Sequence, residues 1–150
     1  MAGTPIGFAA VKAADALGTV FNALGQGAAA TTIAIDNTEA TIGSAAFDTA
    51  MLWLTFAALT AGTGSQYMTA VALPSFDGTD YDPAFVNGLT LYPIENSSTK
   101  PINPGASYSV IKIPLYIPPT LFKIALLNNF GFNLPATVTA SLYRMRGQAG

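Results

Sequence analysis

The acidic side chains that could do chemistry are concentrated in one short stretch of the chain. Asp77, Asp80 and Asp82 lie within VALPSFDGTDYD, residues 71–82. Loop carboxylates suit calcium, and paired carboxylates can hydrolyse glycosides. The spacing does not match an EF-hand, and so short a loop offers few of the roughly 6–8 oxygens that calcium takes. Because Asp-Gly supports tight turns, we expect turn chemistry here and no metal site.

The rest of the composition offers little catalytic chemistry. The chain contains no histidine, which removes the usual general base near neutral pH and the commonest metal ligand. It contains no cysteine, so disulfides and cysteine metal sites are excluded. No serine lies in a nucleophile-elbow motif, and no phosphate-binding loop of the Walker type is present. We therefore expect a protein that is not an enzyme and needs no cofactor.

The charge content is low for a chain of this size. Among 150 residues there are six basic and eight acidic ones, and charged residues make up 9%, against about 25% in ordinary domains. The basic residues are scattered, which argues against nucleic-acid binding. So little charge predicts that much of the surface is covered by partner chains. The alternative is a monomer whose surface is polar through Ser, Thr, Asn and Gln.

Alternating patterns predict the elements that must position these loops. In the segment 51–59, Leu52, Leu54 and Phe56 share one face, and from residue 136 onward Val138, Ala140 and Leu142 do the same. Similar segments are predicted at 31–35, 66–73, 85–94, 107–117 and 121–128. Pro114 favours an edge position or a strand end for its segment. About seven or eight short strands joined by turns predict an all-β fold, an antiparallel β-sandwich or jelly roll.

The N-terminal zone differs in composition. Residues 1–30 are rich in Ala and Gly, and we predict an arm there, followed by a sandwich domain over residues 31–150. A weak helical stripe runs through Phe8, Val11, Ala14 and Leu17. Phe8, Val11 and Phe21 are the side chains through which such an arm would contact a partner. The alternative is a first strand and hairpin of the same domain.

Membrane and secretion signals are not expected. The longest strongly apolar run, residues 50–61, is well short of the roughly 20 residues that span a bilayer. The N-terminus lacks a cationic region before its apolar residues. Aromatic residues such as Trp53 and Tyr81 would suit stacking on sugar rings, but most lie at strand positions. There, packing in the core or at a subunit interface is the favoured interpretation.

Four segments together resemble a known group of proteins. They are TIAIDNTEA (32–40), VALPSFDGTDYD (71–82), IPLYIPPTLFKIALLNNFG (113–131) and LYRM (142–145). The combination resembles small β-sandwich virion proteins of tailed bacteriophages, the decoration or cement proteins of the capsid. The resemblance covers residues 31–146 and rests on turn motifs, so it reports fold more firmly than role.

The resemblance implies a structural virion protein. Such a protein is made in the host cytoplasm, binds the outer surface of the capsid and stabilises contacts between major capsid subunits. A homotrimer would bury the apolar faces. We expect Phe76, Asp77, Asp80 and Tyr81 to form a contact loop at one end of the sandwich. The alternative within the virion is a head-fibre base, tail or receptor-binding module with a carbohydrate-binding face.

Overall fold

A computed structural model describes residues 8–11, 14–42, 46–57, 67–82, 94–95, 108–131 and 133–147. Its strands are β1 (Phe8–Val11), β2 (Asp15–Ala16), β3 (Ala29–Thr31), β4 (Ile35–Asp36), β5 (Thr49–Ala57), β6 (Tyr67–Ser75), β7 (Ile94–Glu95), β8 (Tyr108–Tyr116), β9 (Leu121–Asn129) and β10 (Val138–Gly147). One short helix, α1 (Glu39–Ile42), is present among these residues. None of the helical structure described is long and apolar enough to cross a membrane.

The strands form two antiparallel sheets around one core. Sheet A has the order β1-β10-β5-β8, with β2 also paired to β10, and sheet B has the order β3-β9-β6-β7, with β4 also paired to β9. Inward-facing side chains of both sheets belong to one apolar cluster. The predicted all-β antiparallel sandwich is confirmed.

Period-two alternation determines which side chains enter that core. Leu52 and Leu54 of β5 are fully buried, as is Leu142 of β10, while Trp53 between them points outward. The register pairs Leu52 with Leu142, so inward positions of the two strands coincide. The faces predicted for these strands are therefore confirmed.

Two prolines lie inside strands. Pro114 is in β8, which ends the pairing order of sheet A, so the predicted edge position holds within the described residues. Strand β6 continues through Pro74 to Ser75, where Ser75 pairs with Leu121. The Pro74 carbonyl accepts the Asp82 N–H at 3.2 Å, which shows that the hydrogen-bonding side of Pro74 faces away from β9, so its missing N–H breaks no described ladder.

The segment predicted as one strand at 31–35 is divided into β3 and β4. Thr32 lies at the break, where its backbone N–H donates to the Ile124 carbonyl at 2.9 Å. The Ile124 N–H donates to the Thr32 hydroxyl oxygen, at 3.0 Å, instead of to a backbone carbonyl. A side-chain acceptor thus interrupts the ladder. The predicted strand at 85–94 lies outside the described residues except for Ile94.

Residues 14–31 are part of the sandwich, which corrects the predicted boundary at residue 30. Leu17, Phe21 and Leu24 are buried in the common core. The predicted helical stripe is wrong, because Phe8 and Val11 lie in β1 while Ala14 and Leu17 flank β2. Strands β1 and β2 pair with β10 and β3 pairs with β9. The described part of the segment follows the alternative prediction, a first strand of the same domain.

One buried amide fastens this segment to sheet B. The Asn128 side-chain amide donates to the carbonyls of Leu24 and Gly25, at 2.9 and 3.3 Å. Its oxygen accepts the backbone N–H of Phe130 at 3.1 Å. Since Asn128 is fully buried, these bonds satisfy groups that no water reaches.

Candidate docking surfaces

The turn after β6 is organised by one carboxylate. Asp77 accepts the backbone N–H groups of Thr79 and Asp80, both at 2.8 Å. The Ser75 hydroxyl donates to Asp77 at 3.2 Å and accepts the N–H of Gly78 at 2.9 Å. Gly78 has φ +82°, in the left-handed region that favours glycine. The turn chemistry predicted for Asp-Gly is therefore present.

This turn exposes an aromatic side chain. Phe76 is 84% exposed, and Asp77 and Asp80 also lie at the surface. Tyr81 is half-buried, with the Lys123 ammonium 4.2 Å from its ring centroid. Three of the four predicted contact residues are therefore exposed to solvent. The fourth, Tyr81, has a lysine ammonium over its ring. Within the described residues, no group of three or more acidic side chains is arranged to hold a metal ion.

The Asp77 carboxylate should titrate at unusually low pH. The N–H donors of Asp80 and Thr79 lower its pKa from 3.8 to about 2. Because the folded pKa lies below the unfolded one, its stabilising contribution is complete above the unfolded pKa and disappears as pH falls through the folded one. We expect the Asp77 carboxyl resonance and the Thr79 amide resonance to move together near pH 2 in NMR titrations.

The variant Asp77→Asn is the control for that titration, because it removes the ionising group. The Thr79 amide shift should then show no step near pH 2. A titration midpoint for Asp77 near its usual pKa of 3.8 would show that, in the dissolved protein, the backbone N–H groups do not bind its carboxylate.

A second surface is the outer face of sheet A, which carries little charge. Its members on β5, β8 and β10 alternate with the core positions. They are Met51, Trp53, Thr55, Val110, Lys112, Pro114, Tyr116, Thr139, Ser141, Tyr143 and Met145. Lys112 is the single charged residue among them. Tyr116 is 69% exposed and Trp53 36%, so aromatic area faces solvent.

Trp53 is the centre of this outer face. Its ring lies 4.9 Å from that of Tyr143, centroid to centroid, at an interplanar angle of 49°. The Lys112 ammonium lies 4.3 Å from the Trp53 centroid. In the register Trp53 is directly opposite Lys112 on one side and Ser141 on the other. The two tilted rings therefore form an aromatic cluster with the Lys112 ammonium over the Trp53 ring.

A buried arginine, which sequence reasoning missed, joins the N-terminal segment to β10. Arg144 is 3% exposed, and its Nε lies 2.8 Å from a carboxylate oxygen of Asp15. Its Nη1 donates to the Asp36 carbonyl at 2.6 Å and to the Asn37 side-chain oxygen at 3.3 Å. The sequence did contain a signal for it, because Arg144 continues the alternating series of inward-facing positions formed by Val138, Ala140 and Leu142.

The arginine network extends to the corner between the two sheets. The Asn37 side-chain amide donates to the carbonyls of Phe47 and Pro118, at 2.8 and 2.7 Å. A groove of about 630 Å³ opens beside Arg144, lined also by Ile33, Phe47 and Arg146. The guanidinium groups of Arg144 and Arg146 lie 5.6 and 5.5 Å from the Phe47 ring centroid. These contacts give Arg144 a structural role.

The predicted contact residues of the N-terminal zone lie in two different places. Phe21 is 1% exposed and lies in the core, so its side chain is not at the surface where a partner binds. Phe8 and Val11 belong to β1, which pairs with β10, and their side chains lie outside the described part of the structure.

Comparison with known proteins yields one distant structural similarity. No protein-family model matches the chain, and no curated protein matches it. A solved family 35 carbohydrate binding module from an environmental isolate is similar, with a TM-score of 0.41 and 11% sequence identity. The match covers 98% of this chain and 90% of the module. A similarity of this size carries no functional argument.

Proposed function

We propose that the chain is a structural virion protein of a tailed bacteriophage that decorates the capsid. As a homotrimer, it would bind the outer capsid surface and stabilise contacts between major capsid subunits. The outer face of sheet A carries the proposal, because it offers exposed Trp53 and Tyr116 with Lys112 as its single charge. Contiguous apolar surface of this kind marks protein interfaces. The four turn motifs add the resemblance to decoration proteins.

A decoration protein needs a rigid body with surfaces that bind neighbouring chains, and it needs no catalytic group. The two sheets supply the rigid body, and the outer face of sheet A would supply one side of the contact between neighbouring copies, which in a cyclic trimer joins two different surfaces. Burying Trp53 at such an interface would account for the low charge of the chain. Large aromatic side chains are enriched at protein interfaces.

The test combines oligomeric mass with capsid binding. Light scattering should give three times the 15.4 kDa chain mass, and the protein should co-sediment with empty capsids of its own phage. Trp53→Lys places a charge at the centre of the outer face and should shift the protein toward monomer. Tyr67→Ala, which removes an exposed ring from sheet B, is the matched control. A monomeric protein that fails to bind capsids would refute the proposal.

A carbohydrate-binding module of the virion is the second candidate. The observation that favours it is the partly exposed Trp53 beside Tyr143, since sugar rings stack on exposed aromatic side chains. A glycan screen with Trp53→Ala and Tyr81→Ala separates the two candidates. A decoration protein should show no glycan dependence, whereas a sugar-binding face should lose its ligand in Trp53→Ala.

A further inference from the structure

The chain concentrates its acidic residues at one end of the sandwich. Ser75 at the end of β6 pairs with Leu121 at the start of β9, and Leu121 also pairs with Asp36. On sheet A, Thr49 pairs with Tyr116, and the Ile117 N–H donates to the Asp48 carbonyl at 3.1 Å. Because β8 passes directly into β9 here, all these positions lie at the same end. We call it the acidic end.

Six of the eight acidic residues lie at the acidic end. They are Asp36, Glu39, Asp48, Asp77, Asp80 and Asp82. Five are exposed, while Asp36 is half-buried and accepts the hydroxyls of Thr41 and Thr38, both at 2.7 Å. Among nearby cations, Arg144 is buried against Asp15, Lys123 lies over the Tyr81 ring, and Arg146 is half-buried beside the Phe47 ring. The exposed charge at this end is therefore predominantly negative.

The same end presents apolar groups to solvent. Phe76 projects from the turn with 84% of its surface exposed, and Tyr116 at the end of β8 is 69% exposed. A shallow hollow of about 350 Å³ beside Phe76 is bordered by Pro74, Tyr81 and the three aspartates of the turn. A phenylalanine with so little of its surface buried in its own fold is the kind of anchor that fills a partner's pocket.

We propose that the acidic end is a docking surface for an electropositive protein surface, with Phe76 inserted into an apolar pocket rimmed by lysine or arginine. Charge complementarity selects this partner, because the carboxylates around Phe76 would attract basic side chains and repel phosphate. On the proposed function, on which this inference rests, that partner is a basic patch on the outer surface of the capsid shell. The sandwich would then bind end-on and leave the outer face of sheet A for neighbouring copies.

The main experiment measures co-sedimentation of the full chain with empty capsids of its own phage. Phe76→Ala should weaken binding at least about tenfold, as loss of a central anchor does. The double variant Asp80→Lys with Asp82→Lys should weaken it by a similar factor. Raising salt from about 0.05 to 0.3 M, which screens exposed charges, should weaken the wild-type protein much more than the double variant.

Controls at the opposite end of the sandwich test whether the effect is local. Tyr67→Ala removes an exposed ring there, and Ala136→Lys adds a charge just before β10 begins. Both should bind capsids as the wild type does. Equal weakening by these controls, or undiminished binding by Phe76→Ala and the double variant, would overturn the end-on docking.

A second experiment distinguishes a failure of this inference from a failure of the proposed function. A synthetic lysine-rich peptide with a central leucine is titrated into the wild-type protein, and amide shifts are followed by NMR. Shifts confined to residues 76–82 and Asp48, without capsid binding, would refute the decoration role and retain an electropositive partner. Shifts absent from the acidic end, together with no capsid binding, would overturn the inference itself.

Discussion

Replacing Arg144 with methionine is expected to destabilise the fold by about 3–5 kcal/mol, the range found when one partner of a buried ion pair is removed. The substitution removes the buried guanidinium whose Nε lies 2.8 Å from the Asp15 carboxylate. It also removes the donor to the Asp36 carbonyl and the Asn37 oxygen, at the wall of the groove beside Arg144. Urea unfolding followed by tryptophan fluorescence of Trp53 measures the loss.

The control for this prediction is the same substitution two residues further along the strand. Arg146 points to the same side of β10 but is only half-buried, so Arg146→Met should cost clearly less. Arg144→Lys keeps the charge but loses the planar fork, so it should fall between wild type and Arg144→Met. If Arg144→Met and Arg146→Met were equally stable, the buried network would contribute nothing to the stability of the sandwich.

Phe21→Ala is expected to cost about 3–5 kcal/mol, the usual range for deleting a buried phenyl ring. Phe21 is 1% exposed and belongs to the common core, between Leu17 and Leu24 of the same segment. The loss follows from the lost burial and from the cavity that surrounding side chains only partly fill. Chemical denaturation of the purified variant provides the measurement.

Phe76→Ala is the matched control, because it deletes the same ring at the surface. With 84% of Phe76 exposed, its removal should change stability by less than about 0.5 kcal/mol. The pair of variants therefore separates a core role from a docking role for one residue type. A Phe21→Ala protein as stable as Phe76→Ala would show that residues 14–31 are only loosely attached to the sandwich.

Local patterns were enough to predict the long strands and the acidic turn. Alternation places Leu52 and Leu142 inward whatever their partners are, since side chains in any strand point to opposite faces in turn. The Asp77-Gly78 turn is likewise local, because a carboxylate binding N–H groups two and three residues ahead needs no distant contact.

The N-terminal segment was mispredicted because its structure is determined by distant residues. Ala and Gly carry weak preferences, and the bonds that hold the segment around Phe21 join residues far apart in sequence, because the Leu17 N–H donates to the Ala140 carbonyl and the Val138 N–H to the Asn22 side chain. Arg144 was missed for a related reason. Its inward spacing was visible, but its partners Asp15 and Asn37 become neighbours only in the folded sandwich.

The candidate docking surfaces were partly foreseen. The turn with Phe76 was predicted as a contact loop, and the structure shows Phe76 exposed. The acidic end was not foreseen, since Asp36, Asp48 and Asp80 are far apart in sequence and meet only through strand register. Exposure of Trp53 was also beyond sequence reasoning, because both faces of its strand are apolar in part.

The position of β10 in sheet A has a consequence for synthesis of the chain. This strand, residues 138–147, is hydrogen-bonded to β5 on one side and to β1 and β2 on the other. Sheet A therefore cannot close while the ribosome still holds those residues, and the hydrogen-bonding edge of β5 that pairs with β10 stays open until they emerge. Non-local pairing of this kind folds slowly and exposes chains to aggregation. Chaperone demand during translation should thus be greatest just before β10 is released.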